Sequence, residues 1–166
     1  MNGKAAIAIL LLTAFLNPAA AETSLPAAIA VSGEAPVLTA HAIGTQIYAC
    51  KAGADGKLVW TFLEPAATLT ADDKIVAHHS AGPTWKFSDG SAVVGKVVAS
   101  APGKTADDIA WLKLDATSHS GNGTASEIVT VQRINTVGGV ITGQCDHAGA
   151  TRAMPYAADY VFLRKS

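Results

Sequence analysis

HHSAGPTWKFSDGSAVVG, residues 78–95, decides the fold class. Gly82-Pro83 breaks the chain ahead of a short segment, 84–88, in which Trp85 and Phe87 stand two residues apart. Successive side chains of an extended chain point to opposite faces, so these two rings share a face. Asp89-Gly90 is a hairpin turn signal. The chain then returns over 91–100 as a valine-rich segment, with Val93 and Val97 on one face and Val94 and Val98 on the other. Gly95, in the middle of it, marks a candidate bulge. The period is two, which reads as strand, turn, strand.

The same period continues on both sides. Upstream, Leu58, Trp60 and Phe62 share one face of a segment at 57–63, which Glu64-Pro65 is expected to end. Before it come two expected strands, 37–42 and 45–51, split by Gly44. Residues 66–73 have mild helical or loop character, and 74–79 reads as a strand. Downstream, residues 109–116 put Leu112 and Leu114 on the apolar face and Trp111 on the other. Residues 127–136 set Val129, Val131 and Arg133 against Ile128, Thr130 and Gln132. A short strand at 140–142 and a closing strand at 156–164 follow. Short strands punctuated by Gly, Pro and Asp-Gly predict an all-β chain: one antiparallel sandwich or flattened barrel of about 8–11 strands. Trp60, Trp85 and Trp111 recur at one hairpin's spacing, which a meander explains without a repeat architecture.

The N-terminus predicts the compartment. Lys4 precedes an apolar run over 5–16, too short to span a bilayer core of about 30 Å as a helix. Asn17-Pro18 breaks that run, and Ala19-Ala20-Ala21 offers small residues for cleavage. This is the pattern of a secretory signal peptide. The expected organisation is a signal peptide at 1–21, an extended lead-in at 22–36 and a single all-β domain at 37–166. Export to the periplasm or the medium follows. Removing 21 of 166 residues leaves 145, enough for one core. Without Lys4 the 12 basic residues become 11 against 13 acidic ones, and no basic stripe exists. Nucleic-acid binding therefore has no electrostatic footing, and no later run suggests membrane insertion. In an oxidising compartment Cys50 and Cys145 are expected to pair.

Several words of the sequence occur together in one known family. They are GTQIYACKA (44–52), the W-T-F of 60–62 followed by Pro65, HSAGPTW (79–85) and DGSAVVGKV (89–97). IAWLKLDA (109–116), QRINTVGG (132–139), Cys145 and MPYAADYVF (154–162) complete the series. In these words and their order the chain resembles the secreted domain of unknown function 3455 family of bacteria and fungi. The resemblance implies an extracytoplasmic β-rich domain and no particular activity.

Candidate site residues come from the chemistry-bearing side chains. His78 and His79 are adjacent, so on a strand only one of them faces any one site. The ligand-binding candidates are His79, Trp85 and Asp89, joined by His119 or His147 from polar loops. The rings at Trp85 and Phe87 also fit the core. The chain lacks a nucleophile elbow, a P-loop and a dinucleotide fingerprint, and its histidines lack zinc-ligand spacing. No metal or cofactor is therefore expected. The leading expectation is a non-catalytic module that binds a small ligand or a cell-envelope component. One alternative is a hydrolase or metal-dependent enzyme using His79 with Asp89 and a loop histidine. The other is a structural or stress-related envelope protein without a ligand. If His79 and Trp85 serve binding alone, truncating them should spare the melting temperature.

Overall fold

The computed structural model describes residues 25–166, and the expected signal peptide lies outside them. Eight strands follow one another: β1 (Glu34–Ala52), β2 (Leu58–Ala71), β3 (Lys74–Ser80), β4 (Thr84–Phe87), β5 (Ala92–Ala101), β6 (Trp111–Ser120), β7 (Thr130–Gly138) and β8 (Thr151–Lys165). Each pairs antiparallel with the next, and β8 pairs back onto β1 to close a barrel. Closure leaves the ring without an edge strand. The all-β expectation holds, and of the architectures it allowed the chain takes the barrel, with eight strands.

The alternation of side chains fills the inside. On β1, β2, β3 and β8 the inward positions include the small residues Ala40, Ala42, Ala67, Ala77 and Ala158, all buried. Trp85, Phe87 and Leu114 of β4 and β6, with Tyr160 and Phe162 farther along β8, fill the space they leave. Small faces large, as a narrow barrel requires if its interior is to be packed. Gly44 belongs to the small side: a Cβ there would overlap the Ala66 carbonyl and Ala67. That close approach is why Gly44 does not divide the strand, and β1 runs unbroken for 19 residues.

Two other boundaries differ from expectation. β2 continues through Pro65 to Ala71. Pro65 pairs with Gln46 of β1, while β3 joins β2 only from Ala67 onward. Pro65 thus sits where β2 has a neighbour on one side only, and there a missing N–H is tolerated. Residues 140–142 are irregular, flanked by Gly139 and Gly143, both at positive φ. The bulge expected at Gly95 is present as a register shift between Val94 and Gly95.

A second, smaller cluster lies outside the ring. Ile29, in a 3-10 turn at Ala27–Ile29, packs with Ala101 and Trp111. The buried Gln132 donates its Nε2–H to the Ile29 carbonyl at 2.7 Å. The segment before β1 is thereby strapped over β5 and β6, and Trp111 faces away from Leu112 and Leu114 as its phase required. A disulfide joins Cys50, near the end of β1, to Cys145 in the loop before β8.

Candidate functional site

His79 of β3 and Trp85 of β4 are direct cross-strand partners, because the turn at 81–83 is short. Their phase points both rings into the barrel, where they stack at 4.5 Å with 6° between planes. Tyr160 of β8 meets both edge-on, at 5.3 and 5.6 Å. Above this aromatic group the core stops short of the barrel end and leaves a cavity of ≈ 270 Å³. Gln46, Leu112, Leu114 and Arg133 form further walls. Phe62, Leu63 and Val97 border it as well, each about half exposed, so the mouth has an apolar rim. The volume lies just below the usual range of ligand pockets, about 300–1,000 Å³.

The polar groups around the cavity are mostly donors. His79 Nδ1 lies 3.0 Å from the Thr84 carbonyl, which can only accept. Nδ1 therefore carries the proton, and Nε2 keeps its lone pair while the ring is neutral. Burial pushes the His79 pKa down to about 4; the bond to Thr84 opposes this and the charge of Arg133 reinforces it. Arg133 spends Nε–H and one Nη2–H on the Ala110 carbonyl, at 3.1 and 2.8 Å. Gln46 is 3% exposed, and its Nε2 has no hydrogen-bond partner among the described residues although the amide lies beside the Tyr156 hydroxyl. Trp85 Nε1 is likewise buried and unpartnered. The Tyr156 and Tyr160 hydroxyls face each other at 3.2 Å, and burial raises both pKa values.

The state of His79 gives a pH dependence. An unfolded histidine titrates near 6.5 and the folded one near 4. Above pH 6.5 both states are neutral and His79 contributes no slope. As pH falls through that value the unfolded chain takes up a proton and the folded one does not, so stability declines until about pH 4. The loss is about 3 kcal/mol, and His79→Gln should lack it. Unfolding free energies of the two proteins between pH 7.5 and 4 measure the difference. Parallel curves would contradict the assignment.

The other three candidates do not line this cavity. Asp89 lies in the turn between β4 and β5, at the opposite end of the barrel from the turn between β3 and β4, since consecutive turns of a meander alternate ends. Its carboxylate accepts hydrogen bonds from Ser91 N at 2.9 Å and from Thr124 N and Oγ1 at 2.8 Å. The Ser91 hydroxyl, with Thr124, holds the Asp89 pKa well below the carboxylate range. His119 is exposed on β6, and its Nε2 meets the Ile128 carbonyl at 2.7 Å. His147 is exposed in the loop beside the disulfide. His79 shares no hydrogen bond or ion pair with Asp89, so the acid–base pairing of the enzyme alternative is not assembled among the described residues. No group of three or more His, Cys, Asp or Glu side chains that could hold a metal ion occurs among them.

Arg133, Gln46 and Tyr160 also line the cavity and are not among the candidates that residue type and spacing single out. A signal for Arg133 was present: it shares the phase of Val131, which is fully buried, so a cation was written into an apolar inner face. Gln46 likewise follows Ala40 and Ala42 in even phase along β1.

The family model described as a protein of unknown function (DUF3455) matches residues 31–74 and 70–164. The chain belongs to this family. No curated protein and no solved structure matches it.

Proposed function

We propose that this member of the DUF3455 family is an exported, non-catalytic binding module that holds a small, largely apolar molecule inside its barrel. The observation that carries the reading is the cavity of ≈ 270 Å³ beside the stacked His79 and Trp85, with its exposed apolar rim. A barrel of eight strands has room for one small ligand when its packing is incomplete. His79 and Trp85 form the wall that the ligand meets, and their burial holds that wall rigid. The disulfide fits the oxidising compartment that export implies. No described helix is long and apolar enough to cross a membrane. Polar side chains on the outside, such as Lys86, Lys96, Asp115 and the His41–Asp159 pair at 2.8 Å, support a barrel surrounded by water. A membrane barrel carries the reverse arrangement, apolar outside and polar inside.

The test uses the neutral fluorophore N-phenyl-1-naphthylamine. Saturable binding with one site per protein is expected. Val97→Trp, which adds a ring to an exposed rim position, should weaken it at least tenfold without lowering the melting temperature. A wild-type protein without saturable binding, or equal binding by the variant, would overturn the reading.

A further inference from the structure

We propose that the cavity takes a small apolar monocarboxylic acid, its carboxylate held by Arg133; this rests on the binding reading above. Arg133 is half-buried on the inner face of β7 and borders the cavity. A guanidinium withdrawn from water is costly unless a counter-charge meets it. Among the described residues the ion pairs are His41–Asp159, Lys57–Asp55, Arg164–Glu127 and Lys165–Glu34, and none includes Arg133. Among the described residues no Asp or Glu lines the cavity.

The Ala110 carbonyl takes two of the five N–H groups of the guanidinium. Three remain, with the Tyr160 hydroxyl close enough to take one, and a planar guanidinium suits the two oxygens of a carboxylate. Gln46 and Trp85 also line the cavity, but Gln46 Nε2 and Trp85 Nε1 are closed off from it and lack acceptors among the described residues. The site thus offers one positive charge whose N–H groups are not all taken up. His79 adds no second charge, because its imidazole is neutral. One cation matches one anion, which selects a monocarboxylate over a dianion. Leu112, Leu114, Phe62 and Val97 form the walls beyond the charge and require an apolar body.

The experiment compares 2-naphthoate with 2-naphthamide, equal in shape and different in charge, by calorimetric titration of the protein at pH 7.5. Wild type should bind the acid at least tenfold more tightly than the amide. Arg133→Gln should bring the two within twofold, while Lys96→Gln, on the outer surface, should keep the wild-type preference for the acid. Octanoate against octanamide repeats the comparison for an aliphatic body and shows which body the walls prefer. Equal wild-type affinity for acid and amide, or no binding of either acid, overturns the carboxylate assignment. The selectivity of the wild-type protein decides this even if the variant fails to fold. Should the neutral fluorophore still bind in that case, the cavity reading survives and only its anion is lost.

Discussion

Replacing Cys50 and Cys145 together by serine is expected to lower the unfolding free energy by about 4 kcal/mol. The bridge spans 95 residues of chain. Loop-closure entropy assigns roughly 4–5 kcal/mol to a loop of that size, with observed values often lower. The bridge also secures local structure. Cys50 N donates to the Ala150 carbonyl and Gly149 N to the Cys50 carbonyl, while Cys145 N donates to Leu58. The loop before β8 is thereby stitched to the outer ends of β1 and β2. Gln46 and Tyr48 stand on that same end of β1, and the Tyr48 hydroxyl donates to the Gly139 carbonyl at 2.8 Å. Losing the bridge therefore loosens a wall of the cavity as well as the whole chain. Urea unfolding of oxidised wild type, reduced wild type and the double variant provides the measurement. The last two should coincide and lie below the first. A difference under about 1 kcal/mol would show that the bridge adds nothing beyond the barrel's own pairing.

Trp85→Ala is expected to cost about 3–5 kcal/mol, the range for removing a large ring from a packed interior. Trp85 is 1% exposed. His79 covers one face of its ring, and Tyr160 and Phe162 meet it edge-on, Phe162 at 6.0 Å. Gly95 lies against it so closely that an added Cβ would sit 3.1 Å from Cζ3. No neighbouring side chain can move in to fill the gap without leaving its own partners. The expectation that Trp85 could be truncated without loss of stability is thus replaced by a double role, core residue and cavity wall. Thermal and denaturant unfolding of Trp85→Ala checks the number, and Trp85→Phe should recover more than half of the loss. A cost below about 1 kcal/mol would contradict the packing described.

The period of two made most of the barrel legible. It placed Trp85 with Phe87, put Leu112 and Leu114 inside, and turned Trp111 outward. It failed where a residue's usual meaning depends on its neighbours in space. Gly44 and Pro65 are strand breakers in general, yet one sits at a close approach and the other beside a missing partner. Closure of β8 on β1 joins the two ends of the chain, and no local pattern encodes that pairing. The candidate cavity was half legible for the same reason. His79 and Trp85 are cross-strand partners through one short turn, a relation sequence distance can suggest. Asp89 is only four residues beyond Trp85, but the next turn of a meander lies at the other end. Arg133 reaches the cavity from a strand far along the chain, and its one clue was a charge in phase with Val131.

A small molecule is proposed to enter the barrel beside Trp85. Trp60, Trp85 and Trp111 give three indole N–H signals, with Trp85 inside the ring, Trp111 under the Ile29 strap and Trp60 beneath Arg152 at 5.2 Å. Two-dimensional nitrogen–proton spectra of the labelled protein, recorded while N-phenyl-1-naphthylamine is added, read all three at once. The Trp85 signal should move and saturate while the other two stay in place. A Trp85 signal unmoved at saturating fluorophore, or movement confined to Trp60 or Trp111, would contradict the account.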